Sequence, residues 1–307
     1  MKRAMKLVLC TLLCTALSGC AHADGSEEKT IVTSFYPMYV FAQNVAKDVP
    51  GVKVVNMAGE SAGCLHDYQL KTRDMVTLEE ASALVINGGG MEQFMDKVIA
   101  SYPALPVIDA SAGIEMLCAD EEHDHKGHDH SGHDHDHGAL NAHVWLDPEL
   151  AIRQVNNIAE GLAQADAANA DAYRANAAAY ILRLEALDSE IAAQLEGVKG
   201  SRIITFHEAF SYFADAYGLV VAGVIANDNG EEPSTRQIAK TCDLVRRENV
   251  KALFIEPQYP AKSAETIARE TGAQVFTLDP VVSGDGALDS YETLMRKNAQ
   301  VLAEALK

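Results

Sequence analysis

Positive charge is scarce in this chain, which carries 25 Lys and Arg residues against 44 Asp and Glu residues, a formal net charge of −19. A surface this acidic repels a phosphate backbone and attracts cations, so we expect no nucleic-acid partner. Proline (9 residues) and cysteine (6 residues) are also few. The composition therefore excludes a disordered, collagen-like or disulfide-dense protein, and the 307 residues are enough for two globular domains.

The first apolar run, Leu7 to Leu17, is too short to span a bilayer and follows a basic N-terminus. It predicts a signal peptide over residues 1–20. The run ends in Leu17-Ser18-Gly19-Cys20, which resembles the lipobox of bacterial lipoproteins, whose cysteine sulfur takes the lipid. Cleavage after Ala23 by the A-x-A rule is the alternative. Either cut predicts export to the periplasm or cell surface, and the lipobox adds a lipid anchor on Cys20.

Three cysteines remain beyond Cys20 and the leader. Cys242 lies on a helical stripe of apolar residues, which predicts a small buried side chain. Cys64 and Cys118 are left to pair or stay reduced, since their spacing in the sequence does not set their distance in space.

Short apolar runs alternate with amphipathic stretches along both halves of the mature chain. The strand-like runs are Ile31 to Phe35, Val52 to Met57, Ala83 to Ile86, Leu105 to Ile108, Arg202 to Phe206, Leu219 to Ile225, Ala252 to Ile255 and Gln274 to Leu278. Strands that alternate with helices predict an α/β fold with two open, mostly parallel sheets. We expect one lobe over residues 29–147 and a second over residues 199–307.

A helical linker is predicted over residues 148–198. Asp147 and Pro148 form a helix start, an N-cap followed by proline at the first helical position. Farther on, apolar residues recur every three or four positions between about Ala167 and Glu196. A helix of that length measures roughly 45 Å and acts as a strut between the lobes.

A low-complexity insert occupies residues 121–137, where seven histidines and six acidic residues stand among 17. The histidines are His123, His125, His128, His130, His133, His135 and His137. So little apolar content cannot bury a core, and histidine-rich tracts bind metal ions. The insert is therefore predicted as an accessory metal-binding segment, with a solvated spacer as the alternative.

Outside the insert and the first 23 residues, which contain His22, three histidines remain. His66, His143 and His207 fall in loops or directly after a strand-like run, and Asp279 follows the last strand in the same way. Ligands of open α/β sheets bind at the carboxyl ends of strands, so these four side chains can converge there. Glu208 and Glu256 are not included in this predicted site.

The chain resembles the solute-binding proteins of bacterial ABC importers for zinc and manganese, and most closely the zinc-uptake branch. The stretches that carry the resemblance are HDYQLKTRD from His66, VINGGGMEQFMDKV from Val85, AHVWLDP from Ala142, TFHEAFSYFADAYGL from Thr205, NGEEPSTRQI from Asn229, LFIEPQ from Leu253 and TLDP from Thr277. The resemblance implies two lobes joined by one long rigid helix, with the metal ion in the cleft between them.

By position, the resemblance makes His66, His143 and His207 the three histidine ligands and Asp279 the carboxylate ligand. In the zinc branch the fourth position can also be a water molecule or a loop carboxylate, so water or Glu60 is the alternative to Asp279. The first loop departs from the family pattern just before His66, where Ala62-Gly63-Cys64-Leu65 stands. Three imidazoles and one carboxylate favour tetrahedral zinc, whereas manganese prefers oxygen-rich sites. We therefore expect Zn²⁺ as cargo, with a manganese receptor as the alternative within the family.

The predicted function is an extracytoplasmic zinc receptor, not an enzyme, that is monomeric and delivers Zn²⁺ to an ABC permease whose ATPase is a separate chain. A secreted zinc hydrolase is one alternative from another class. His207-Glu208 begins like the H-E-x-x-H motif of such enzymes, but position 211 is serine. A metal-buffering adhesin is the other alternative, in which binding matters without transport.

Overall fold

The computed structural model describes residues 28–59, 65, 68–118, 140–226 and 232–307. Its strands are β1 (Lys29–Thr33), β2 (Val52–Asn56), β3 (Ala83–Ile86), β4 (Val107–Asp109), β5 (Arg202–Thr205), β6 (Val220–Val224), β7 (Ala252–Ile255) and β8 (Gln274–Thr277). Its α-helices are α1 (Tyr36–Val45), α2 (Thr72–Glu79), α3 (Asp96–Ile99), α4 (Pro148–Ala165), α5 (Ala170–Leu195), α6 (Ser211–Tyr217), α7 (Thr235–Glu248), α8 (Lys262–Thr271) and α9 (Ser290–Ala305). Short 3₁₀ turns flank several of these helices.

The strands form two four-stranded sheets, in the order β2-β1-β3-β4 and β6-β5-β7-β8. Every strand pair within them is parallel. The two predicted parallel α/β lobes are thus confirmed. The predicted end of the first strand is wrong, because Phe35 leaves the sheet and serves as the buried N-cap residue of α1.

The predicted long helix is confirmed as α5, which covers 26 residues and is about 39 Å long. The 3₁₀ turns Ala167–Asn169 and Glu196–Val198 extend it at both ends. One side of the helix is buried, through Tyr173, Ala177, Tyr180, Leu184, Leu187, Ile191 and Leu195. This spacing of three or four residues places all seven side chains on one face.

The helices between the two sheets share one hydrophobic core. Phe41 of α1, Leu162 of α4, Leu184 of α5 and Leu302 of α9 belong to the same buried cluster. Helix α4 begins as predicted, since the Asp147 side chain accepts a hydrogen bond from the Glu149 backbone N–H at 2.8 Å. The strut is therefore packed against elements of both lobes rather than exposed between them.

Several predicted features lie outside the described residues. They are the signal peptide with Cys20, the first-loop residues Glu60, Cys64 and His66, and the histidines of the insert. Cys242 is buried as predicted, and Cys118 is exposed. No helix in the part of the chain that the structure describes is long and apolar enough to cross a membrane.

Candidate metal centre

Two of the three predicted histidine ligands stand next to short 3₁₀ turns at the ends of the sheets. His207 lies two residues after β5 and is the N-cap residue of the turn Glu208–Phe210. His143 holds the same position before the turn Val144–Leu146, which leads into α4. Only 2% of His143 and 1% of His207 is exposed, so both imidazoles are withdrawn from bulk water.

The two imidazoles point at each other through the same ring atom. The Nε2 atom of His143 lies 3.2 Å from the Nε2 atom of His207, and the ring centroids are 5.0 Å apart. In a tetrahedral zinc site with Zn–N bonds of 2.0–2.1 Å, two ligating nitrogens lie about 3.4 Å apart. The pair therefore has the spacing of two ligands of one metal ion.

Glu256 supports His207 from the neighbouring strand. It is the first residue after β7, which pairs with β5, and its Oε1 atom lies 2.5 Å from His207 Nδ1. A carboxylate oxygen at this position accepts a hydrogen bond from Nδ1–H, and this tautomer leaves the lone pair of Nε2 for a metal ion. The sequence prediction left Glu256 out; its place directly after a strand was the signal that could have found it.

Asn141 supports His143 in the same way. Its Oδ1 atom accepts hydrogen bonds from the backbone N–H of His143 at 3.0 Å and from His143 Nδ1 at 2.9 Å. The hydrogen therefore sits on Nδ1, and Nε2 again points to the partner imidazole. The sequence prediction missed Asn141, since an asparagine two residues before a histidine has no periodic signature.

Asp279 follows β8 and is held by a turn of its own. Its Oδ1 atom accepts a hydrogen bond from the backbone N–H of Val281 at 2.8 Å. The side chain of Asn298 in α9 accepts from the backbone N–H of Asp279 and donates to the backbone carbonyl oxygen of Asp279. Burial raises the pKa of the Asp279 carboxyl group above its ordinary value. Val281 has a φ of 60°, which is rare for a β-branched residue, so this turn is strained.

Trp145 joins the His143 segment to the turn that contains Asp279. Its ring lies against the His143 ring with centroids 5.1 Å apart, and its Nε1–H donates to the Pro280 carbonyl oxygen at 2.8 Å. Trp145 is fully buried. It supplies apolar packing beside the histidine pair and carries a hydrogen bond as well.

Leu65 and Tyr68 are the described residues on either side of His66 and Asp67. Leu65 is fully buried, and its carbonyl oxygen accepts from the backbone N–H of Tyr68 at 2.9 Å. The Tyr68 hydroxyl donates to Asp74 Oδ2 at 2.8 Å. Among the described residues, no three His, Cys, Asp or Glu side chains form a group that could hold a metal ion, so the structure brings His143 and His207 together but does not complete a site with Asp279.

Comparison with known sequences gives one family. Residues 31–305 match the family model ZnuA, described as the periplasmic component A of a zinc-uptake complex. A zinc-binding lipoprotein, AdcA, of Streptococcus pneumoniae serotype 4 is 30% identical over 96% of this chain, which spans only 59% of the length of AdcA. The high-affinity zinc uptake system protein ZnuA of Bacillus subtilis is 32% identical, with 92% of this chain and 90% of that protein covered.

Solved structures of solute-binding proteins share the fold of this chain. The solute-binding protein FpvC of Pseudomonas aeruginosa, solved in complex with Mn²⁺, superposes with a TM-score of 0.78 at 31% identity. The match covers 91% of this chain and 98% of FpvC. The whole fold, and not one lobe alone, is therefore shared.

Proposed function

Because the chain belongs to the ZnuA family, we propose that it is an extracytoplasmic receptor that captures Zn²⁺ and delivers it to an ABC-type membrane permease. This proposal rests on the buried pair of Nε2 atoms of His143 and His207, which lie 3.2 Å apart. In each imidazole, Nδ1 is hydrogen-bonded to a side-chain oxygen atom, so Nε2 is left to bind the metal ion. The zinc ion is cargo, and the protein catalyses no reaction.

The proposed ligands are His66, His143 and His207, with Asp279 as the fourth. His66 is proposed from its place in the stretch HDYQLKTRD, which carries the family resemblance. Asp279 has a second carboxylate oxygen beyond the one that accepts from Val281, and that oxygen is the proposed fourth ligand atom, which has to approach the histidine pair when the metal ion binds. Imidazole nitrogen favours zinc over manganese, which prefers harder oxygen donors.

The oxygen partners of the imidazoles determine how the site takes up a cation. Asn141 and Glu256 hold the Nδ1 hydrogens, so both rings present a basic nitrogen before the metal ion arrives. Glu256 is 1% exposed and also places a carboxylate beside the incoming positive charge. Uptake therefore needs little reorganisation of these two ligands, which favours tight binding.

Anchoring and delivery are the finer parts of the proposal. The chain is held at the membrane through a lipid on Cys20 and works as a monomer, with the ATPase of the importer on a separate chain. The lipobox-like sequence before Cys20 supports the anchor, and the pneumococcal relative is itself named a lipoprotein. The strongly acidic composition supports a cation as cargo.

Zinc titration against a competing chelator tests the proposed site. His66→Ala, His143→Ala and His207→Ala should each weaken zinc binding at least 10-fold to 100-fold, since losing even an outer hydrogen-bond partner of a ligand costs that much. Asp279→Ala should have a smaller effect. Deleting residues 121–137 is the control, because the accessory histidines are not part of the site and the tight zinc equivalent should remain.

Two results would contradict the proposal. Wild-type affinity in all three histidine variants would show that the pair does not hold the cargo. Loss of the tight equivalent in the deleted protein would move the main site to the insert. The same titration with Mn²⁺ distinguishes a zinc receptor from a manganese receptor. If the protein binds manganese more tightly than zinc, manganese and not zinc is its cargo.

A further inference from the structure

The side chain of Asn141 contacts both segments that carry the histidine pair. Its Oδ1 atom accepts two hydrogen bonds from His143, as described above. Its Nδ2 atom donates to the backbone carbonyl oxygen of Glu208 at 2.9 Å, directly after His207. One amide group therefore joins the segment before α4 to the segment after β5.

Tyr212 of α6 makes a second connection between the same segments. Its hydroxyl donates to the backbone carbonyl oxygen of Asn141 at 2.6 Å and accepts from the backbone N–H of Leu117 at 2.9 Å. The ring is 4% exposed and packs with Ile114 and Val144 in a small cluster of its own. This hydroxyl thus has both its donor and its acceptor capacity in use.

We propose that Asn141 and Tyr212 form a latch that keeps the two imidazoles within ligand distance and thereby sets the residence time of the bound metal ion. The proposal rests on the proposed function, because it concerns release of the cargo. Asn141 and Tyr212 are positioning residues, since they act through His143 and His207 rather than on the metal ion. Moving the segment that carries His143 away from the segment that carries His207 breaks the hydrogen bonds from Asn141 to Glu208 and from Tyr212 to Asn141.

The chemistry of Asn141 allows its two roles to be separated. In Asn141→Asp, a carboxylate oxygen still accepts from both nitrogens of His143, so the hydrogen stays on Nδ1. The donor to the Glu208 carbonyl is lost, and two acceptors face each other in its place. The added negative charge attracts zinc, so faster release from this variant cannot arise from charge.

Stopped-flow zinc release into excess chelator is the decisive measurement. Asn141→Asp should release zinc roughly 10-fold faster than the wild type. Tyr212→Phe should also accelerate release, while the ring continues to pack. In the double variant, release should be no more than slightly faster than in the more affected single variant, because residues of one hydrogen-bonded unit do not act additively. ¹⁵N chemical shifts of the His143 ring should show the same tautomer in wild type and Asn141→Asp.

Two matched controls measure general destabilisation. Asn176→Asp loses hydrogen bonds to two backbone carbonyls, those of Val45 and Lys47, that touch neither histidine segment. Tyr217→Phe, on the same helix as Tyr212, loses a hydrogen bond to Asp188. Both controls should lower the melting temperature and leave the rate of zinc release unchanged.

The outcomes distinguish the latch from the receptor itself. If the wild type holds no tight zinc, the proposed function fails before the latch is tested. If the wild type holds tight zinc and both Asn141→Asp and Tyr212→Phe release it at the wild-type rate, the latch is overturned. Equal acceleration in the two controls would overturn it as well.

Discussion

Glu92 shows how a single buried carboxylate can organise the loops at the end of a sheet. Its Oε1 atom accepts from the Ser34 hydroxyl at 2.7 Å and the Asn87 backbone N–H at 2.8 Å, and Oε2 accepts from the Gly88 N–H at 3.1 Å. The glycine run after β3 therefore directs backbone N–H groups at a carboxylate of its own chain. Glycine-rich turns often bind anions through their backbone N–H groups. In this turn the carboxyl group of Glu92 accepts those hydrogen bonds instead.

Burial raises the pKa of Glu92 from 4.5 to about 7. The folded protein thus keeps a proton at pH values where the unfolded chain has lost it. The stability from this proton is fully present below pH 4.5 and is lost as the pH rises through about 7. The shift corresponds to about 3 kcal/mol of unfolding free energy.

We therefore expect the metal-free wild type to lose stability relative to Glu92→Gln as the pH rises from 4.5 to 8 (roughly the span of the shift), because glutamine does not titrate. Urea denaturation at several pH values measures the difference between the two proteins. Glu185→Gln, on the exposed side of α5, is the control and should show no such trend. A pH-independent difference for Glu92→Gln would contradict the buried titration.

The segment that connects β8 to α9 is hydrogen-bonded to helix α1 of the first lobe. The Tyr36 hydroxyl, at the start of α1, accepts from the Gly286 N–H at 3.0 Å and is 2.7 Å from the Ser290 hydroxyl. Asn44 of α1 donates to the Leu288 carbonyl oxygen at 2.9 Å. These hydrogen bonds hold the end of the second lobe against the first helix of the chain.

Gly284 is the point of closest approach in this segment. A Cβ atom there would lie 2.2 Å from the Tyr36 hydroxyl oxygen and 2.7 Å from the Ser290 hydroxyl oxygen. Gly284→Ala should therefore destabilise the protein by about 1–3 kcal/mol, the usual cost of overpacking. Gly197→Ala is the control, since a Cβ atom added there would have nothing within 4 Å apart from its chain neighbours. Thermal unfolding compares them, and equal stability of the two variants would show that the segment yields freely.

At the scale of the whole molecule, the proposed lipid anchor has to be considered together with the net charge. The mature chain is strongly acidic, so an attachment to a negatively charged membrane surface by electrostatics alone is disfavoured. The proposed lipid on Cys20 would supply the attachment that the surface charge opposes. Membrane retention is therefore expected to depend on one sulfur atom rather than on a basic patch.

Cys20→Ala should abolish metabolic lipid labelling and move the protein from the membrane fraction to the soluble fraction. Cleavage after Ala23, or failure of processing, is the expected fate of this variant. Immunoblotting of fractionated cells, with mass spectrometry of the N-terminus, distinguishes these products. Cys242→Ala is the control, because Cys242 is buried in the second lobe and should not affect retention. Unchanged membrane retention of a fully cleaved Cys20→Ala protein would rule out the lipid anchor.

Local pattern in the sequence determined the elements of this protein. The alternation of apolar runs and amphipathic stretches predicts both parallel sheets, and the spacing of Tyr173, Tyr180 and Leu187 predicts the buried side of the strut. These features follow from periodicity within one segment, so no partner has to be known. The positions of His143 and His207 after or before regular elements were predicted for the same reason.

Only the tertiary structure decided which side chains support the histidines. Glu256 reaches His207 because β7 lies beside β5, and sheet order cannot be read from the strands one at a time. Asn141 reaches Glu208 because the two segments meet in space although 67 residues separate them in the chain. Contacts of this kind depend on how whole lobes pack, and that packing is set by the shared core rather than by any local pattern.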